Sequence, residues 1–223
     1  MPTPDSAATG ARPRTLSAAA RHLAGRDRVM AGLVDVYGLP RLSKPGGTHF
    51  AALVQSIVFQ QLAGAAATTI HRRLVVALGG EVTPEAMLAL APEDMRAAGM
   101  SGNKAASVRD LAAKVLDGTV VLDPRGLARE GDEEVIERLT TVRGIGRWTA
   151  EMFLMFQLRR LDVWPTGDLG VRKGFGVAWG IPMPSARELE PLGDPFRPYR
   201  SAVAWYCWRA AEQPGQAPSP VTG

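Results

Sequence analysis

Residues 139–150 read LTTVRGIGRWTA, a string that few local structures can accommodate. Asp132, Glu133 and Glu134 stand ahead of it, and acids are favoured in the first turn of a helix by the helix dipole. Ile136, Leu139 and Val142 then recur at helical spacing. Gly144-Ile145-Gly146 predicts a turn too tight for side chains at its flanks, and Arg147 opens a second helix. Ile145 is expected to plug the hairpin into the core. The two glycines let backbone N–H groups come within reach of an oxyanion. Backbone amides at a helix start form an anion site, and the oxyanion expected here is a DNA phosphate. Asp168 follows 18 residues after Ala150, in the string VWPTGDLGV.

The remaining composition is compatible with that partner. A chain of 223 residues is long enough for one large or two small domains with a real core. Its net charge of +4, with an isoelectric point near 9.6, has the sign that suits a polyanion. The one cysteine, Cys207, excludes a disulfide framework and a thiolate metal cluster. Set among Trp205, Tyr206 and Trp208, it reads as a buried, inert thiol. His22, His49 and His71 are scattered, without metal-ligand spacing. No stretch approaches the length of a membrane span, and no charged segment leads an apolar one at the N-terminus. The expectation is a cytoplasmic, nucleoid-associated protein with no cofactor and no membrane partner.

The element pattern is all-α. Helices are predicted over 16–23, 29–37, 50–61, 65–78 and 104–116, with Leu53, Val54, Ile57 and Val58 on one face of the third. Gly79-Gly80 and Gly118 are stop signals, and Pro84 and Pro92 suit first helical positions. No run alternates with period two. Residues 1–14 and 213–223 have the composition of disordered tails.

From about Phe50 to about Arg209 the chain resembles the helix–hairpin–helix Gly/Pro/Asp superfamily of DNA base-excision glycosylases. Within it, the residues most resemble the 3-methyladenine DNA glycosylase II, or alkylation-repair, branch. The hairpin string, Asp168 at a helix start, and MSGNKAASVRDLA over 100–112 carry the likeness. The resemblance implies two helical lobes with a DNA-binding cleft between them. One lobe would be 50–125. The other, 126–212, would carry the hairpin and the catalytic Asp, with the helices of 15–49 packed on it. Only 49 residues precede Phe50, with little strand signal, so the N-terminal β domain of many relatives is expected to be absent.

The resemblance also implies a site. Cleaving an N-glycosidic bond leaves a sugar with oxocarbenium character, which needs a nearby anion and an activated water. Asp168 stands where the family has its catalytic aspartate, at a positive helix end where a negative charge is favoured; it also suits a plain N-cap. In relatives that also nick the backbone, a lysine two residues after the second glycine attacks the sugar. Trp148 stands there, so a monofunctional enzyme without lyase activity is implied. A flipped base needs an aromatic pocket, and cationic alkylated bases stack well on indole. Its candidates are Trp148, Met152, Trp164 and Trp208, whereas Trp179 and Trp205 read as core. Met152 replaces a tyrosine of better-known members, which implies a softer pocket and a broad range that could include 1-methyladenine and 3-methylcytosine. Backbone contacts are assigned to Gly144, Ile145, Gly146, Arg147 and Thr149, and a monovalent cation could sit on the carbonyls of Thr140, Val142 and Gly144. Gln61 matches the wedge that fills the gap left by a flipped nucleotide, with Leu62 as its neighbour. Lys173 and Lys104 read as surface lysines, with Lys104 and the Ser101-Gly102 turn near enough to touch phosphate. The implied partner is double-stranded DNA with alkylated bases, bound by a monomer. A non-catalytic damaged-DNA-binding protein, or a glycosylase for oxidised or mismatched bases, are the alternatives.

Overall fold

Hydroxyl and carboxylate side chains set where helices begin in this chain. Thr48, Thr83, Ser101, Asp123 and Ser185 each accept a hydrogen bond from the backbone N–H three residues on. Pro84, Pro92 and Pro124 occupy first helical positions, where the missing N–H costs nothing. The structure, a computed structural model, describes residues 12–216, and among these it contains helices and no strand. The expected tails fall mostly outside the described residues. Residues 12–14 lack regular structure, and Pro214–Gln216 forms a single 3-10 turn.

In chain order the helices are α1 (Leu16–Ala24), α2 (Arg28–Tyr37), α3 (His49–Phe59), α4 (Gly64–Ala77), α5 (Pro84–Ala89), α6 (Pro92–Ala97) and α7 (Gly102–Leu116). Then follow α8 (Pro124–Leu127), α9 (Asp132–Thr140), α10 (Arg147–Met152), α11 (Leu169–Trp179), α12 (Ala186–Leu192) and α13 (Arg200–Glu212). They divide into two compact units. Leu42–Val163 forms one, and Met1–Arg41 joins Trp164–Gly223 in the other. The boundaries therefore fall near 41 and 163, not near 50 and 125. The hairpin belongs with α3 to α8, while Asp168 belongs with the N-terminal helices. The physical reason is that the hairpin loop between α9 and α10 is bonded by Lys114 and Asp110 of α7 and by Gln60 at the end of α3.

In the hairpin unit, Leu53, Val54, Ile57 and Val58 of α3 are fully buried, as their spacing predicts. Val108 and Leu111 of α7 and Val135, Ile136 and Leu139 of α9 join the same core. Arg109 reaches from α7 to donate to the carbonyls of Leu88 and Leu90, at 3.1 Å each, and so completes the end of α5.

The other unit is organised by α11 lying along α13, with α1 and α2 packed on the pair. Tyr206 of α13 is fully buried and donates its hydroxyl to the carbonyl of Gly38 at 2.9 Å. The close approach of α11 to α13 depends on Gly174: a Cβ there would run into the backbone carbonyl of Cys207. Gly174→Ala should therefore destabilise the protein by at least about 2 kcal/mol through overpacking against backbone that cannot yield. Denaturant melting measures this; a loss under about 0.5 kcal/mol would show that the helix pair tolerates separation.

Candidate functional site

The hairpin is built as its sequence predicts, but its two glycines serve different ends. Val142 N–H donates to the carbonyl of Leu139 and Ile145 N–H to that of Val142, each at 3.1 Å, which winds the chain tightly. Ile145 is 3% exposed and plugs the turn into the core. Gly144 has φ +77°, and a Cβ on it would collide with the Ser107 hydroxyl on α7. Gly146 has φ −91°, open to any residue, and a Cβ on it would meet nothing within 4 Å. The first glycine is thus required by the fold, and the second leaves a bare surface beside the start of α10.

Polar side chains from α7 hold the hairpin's approach. Asp110 Oδ2 accepts from the Arg143 N–H at 2.7 Å and from Lys114 Nζ at 2.8 Å, and Lys114 also donates to the carbonyl of Thr141 at 2.6 Å. Burial alone would raise the pKa of Asp110, but its bonds from Lys114 and Arg143 outweigh that and hold the carboxyl below its usual range. Arg143 also donates to Asn103 Oδ1 at 3.2 Å.

Two of the side chains assigned to DNA backbone contact are otherwise committed. The Arg147 guanidinium pairs with both oxygens of Glu133, at 2.6 and 2.8 Å, and with Glu151 at 3.1 Å. The Glu133 pairing raises its pKa further. Thr149 is 6% exposed, with its hydroxyl 3.4 Å from Gln60 Nε2. Thr149 is thus withdrawn from the hairpin's outer surface, whereas the Arg147 side chain stays exposed but paired. Of the carbonyls considered for a cation, Gly144 already accepts from Gln60 Nε2 at 2.9 Å and Val142 from Ile145 N–H. Any ion there would be held through second lone pairs.

Upstream, α3 stops at Phe59, two residues earlier than predicted, so Gln60 and Gln61 lie outside it. Gln61 adopts φ +55°, a left-handed conformation that costs a non-glycine residue about 1–2 kcal/mol. Gln61 and Leu62 are both exposed. Lys104 is half-buried rather than a plain surface lysine: its ammonium donates to the carbonyls of Val58 and Gln60, at 2.7 and 2.8 Å. Desolvation lowers its pKa. Trp148 is 50% exposed on α10, and Met152, one turn on, is half-buried. The helix then widens into a π turn over Phe153–Gln157, with Phe153, Leu154 and Met155 buried.

In the other unit Asp168 is the N-cap of α11. Its Oδ1 accepts from the Val171 N–H at 2.8 Å and from Trp208 Nε1 at 2.9 Å. Trp208, half-buried on α13, is thus brought to the carboxylate by the same helix pairing that Gly174 permits. Trp164 does not join them as a pocket wall. It is 6% exposed, donates its indole N–H to the carbonyl of Leu189 at 3.0 Å, and sits edge-on to Phe175. Trp179 stacks on Phe175 with ring centroids 4.1 Å apart, and Trp205 carries the Arg209 guanidinium over its ring. Burial, and the nearby Asp168 charge, push the Cys207 thiol pKa up, which keeps it inert. Among the described residues, no group of three His, Cys, Asp or Glu could hold a metal ion.

Gln60, Ser107 and Asp110 escaped the sequence reading, although 104, 107, 110 and 114 share one helical face. Polar residues at that spacing on a helix with an apolar stripe were the available signal.

A helical fold with a Gly-Ile-Gly hairpin and a later helix capped by an aspartate defines a class of DNA repair protein. The chain belongs to the HhH-GPD superfamily of base excision DNA repair proteins, whose family model matches residues 54–197. It is 34% identical over 203 residues to DNA-3-methyladenine glycosylase 1 of Schizosaccharomyces pombe, covering 89% of each chain. The solved S. pombe 3-methyladenine DNA glycosylase in complex with abasic DNA superposes with a TM-score of 0.75, over 87% of this chain and 96% of that one. The DNA-3-methyladenine glycosidase of Bacillus halodurans gives 0.76 at 35% identity, over 85% and 86%.

The glycines separate experimentally. Gly144→Ala should cost about 1–3 kcal/mol of stability, from backbone strain and the clash with Ser107, and Ser107→Gly in the same chain should restore part of it. Gly146→Ala should change stability by less than about 0.5 kcal/mol. Equal losses in thermal melts of the two variants would refute the distinction.

Proposed function

We propose that this chain is a monofunctional DNA glycosylase, acting as a monomer on double-stranded DNA. It extrudes an alkylated base, hydrolyses its N-glycosidic bond and leaves an abasic site for base excision repair. The observation that carries this reading is the Asp168 carboxylate at the head of α11, gripped through Oδ1 by two N–H donors. A carboxylate so fixed needs little reorganisation as positive charge develops on the sugar, which is where preorganised electrostatics contribute most. It is also oriented to activate a water for attack on the anomeric carbon. Relatives named as DNA-3-methyladenine glycosylases support alkylated bases as the substrate class. Such bases leave readily once cationic, so the protein's contribution is extrusion and charge stabilisation rather than acid catalysis.

The remaining roles follow by position. The bare surface at Gly146 and the first turn of α10 suit a backbone phosphate, a contact blind to sequence. Gln61 or Leu62, exposed on the turn after α3, is the wedge. Trp148, exposed on α10, is the group for stacking on the extruded base, with Met152 one turn on. With an indole at the position after the hairpin where a nucleophilic lysine would stand, no Schiff base can form there. Among the described residues no helix is long and apolar enough to cross a membrane.

Asp168→Asn keeps an oxygen for both N–H donors but removes the charge. Single-turnover release of 3-methyladenine from methylated duplex should fall at least about 100-fold, with affinity for abasic duplex within about threefold of wild type. Release within a few fold of wild type would sink the assignment of Asp168. Borohydride should trap no covalent enzyme–DNA adduct; a trapped adduct would contradict the monofunctional reading.

A further inference from the structure

The turn after α3 is held in an unusual way. Residues 61–66 are all exposed, so apolar packing contributes little to fixing them. On its inner side lies a polar recess of about 400 Å³, lined among others by Gln61, Ser101, Lys104, Arg143 and Gly144. Gln61, at its edge, is kept at φ +55°. What holds it is a small set of hydrogen bonds. Lys104 Nζ reaches from the first turn of α7 to the carbonyls of Val58 and Gln60, which flank the end of α3. The Gln60 side chain in turn donates to the Gly144 carbonyl of the hairpin.

The geometry points to Lys104 as a positioning residue for base extrusion, holding the Gln61–Leu62 turn in its inserting conformation through the carbonyls of Val58 and Gln60. Three features favour this over a phosphate contact. Two of the ammonium's three donors already point at carbonyls within 2.8 Å. Those carbonyls lie at the C-terminal end of a helix, Val58 in its last turn and Gln60 at its cap, where they have no intrahelical partner and attract a cation. Their release would free the backbone immediately before Gln61, in a turn with open space beneath it. A turn free to relax to ordinary φ would no longer present its side chains in a fixed direction, and a wedge that gives way cannot drive a base from the stack.

This inference rests on the glycosylase reading, and two readouts keep them apart. The first is single-turnover release of 3-methyladenine from a fully paired duplex and from the same lesion inside a three-nucleotide bubble, where extrusion needs no wedge. Lys104→Met should slow release from the paired duplex about tenfold or more and from the bubble by less than about threefold. Its melting temperature, and its affinity for undamaged duplex, should stay close to wild type. Lys104→Gln, which keeps one donor, should fall between the two on paired DNA, and it carries the test should the methionine variant fold poorly. Equal losses on both substrates would overturn the inference. So would a uniform loss of affinity with a salt slope reduced by about one, the mark of a phosphate contact.

The second readout needs no chemistry: 2-aminopurine beside an abasic site should brighten on binding wild type and much less on binding Lys104→Met. Brightening in both alike would overturn the role of Lys104 even if base release failed altogether. Absence of base release by wild type, with the fluorescence difference present, would instead sink the glycosylase reading and leave the positioning role standing.

Discussion

One face of α7 governs the geometry of the hairpin unit. Lys104, Ser107, Asp110 and Lys114 stand three or four residues apart, the spacing that puts side chains on one side of a helix. Lys104 ends α3, Ser107 abuts Gly144, Asp110 takes the Arg143 N–H, and Lys114 takes the Thr141 carbonyl. On its apolar side Val108, Leu111 and Ala112 are buried. A helix anchored by its core face thus carries on its polar face the bonds that locate two loops far apart in sequence. Each bond is modest alone, about 1 kcal/mol net. Together they fix directions that hydrophobic packing, which is non-directional, could not.

The carboxylate site follows another logic. Asp168 is placed by a cap, a local interaction that any aspartate before a helix can make. What distinguishes it is the second donor, Trp208, 40 residues away in sequence. That donor arrives only because α11 and α13 approach closely enough for Gly174 to face the Cys207 carbonyl. A part-buried bond between an indole N–H and a charged oxygen is stronger than a neutral one and fixes the carboxylate's rotation. The small side chain at 174 and the charge at 168 are therefore parts of one arrangement.

Much of this was legible in the sequence, and the division has physical causes. Helix starts were readable because caps and prolines are local. The hairpin was readable because Gly-Ile-Gly with an apolar plug has few solutions. The π turn after α10 and the early end of α3 were not, because both are set by contacts: Lys104 replaces the carbonyl partners that further helix would have supplied. Trp164 could not be separated from the other tryptophans, since a pocket wall and a core residue have the same composition. Only the Leu189 carbonyl on its indole N–H decides it. Likewise nothing in the sequence pairs Arg147 with Glu133, 14 residues earlier. The unit boundary was displaced for the same reason, as the hairpin's partners lie upstream on α3 and α7.

The way the hairpin commits its side chains bears on what it can recognise. Ile145 is in the core, Thr149 is buried against Gln60, Arg147 is paired to two glutamates, and Gly144 is pressed onto Ser107. What remains outward and uncommitted includes the backbone at Gly146, beside the exposed Trp148. Backbone amides read phosphate and not bases. Such a hairpin contributes, in the proposed reading, affinity that is the same for damaged and undamaged DNA, whatever the sequence around the lesion. In the proposed reading, discrimination must then arise where base identity matters: in how easily a nucleotide yields to the turn after α3, and in how readily its glycosidic bond breaks beside Asp168. Both favour weakly paired, cationic bases, and neither needs a close-fitting recognition pocket.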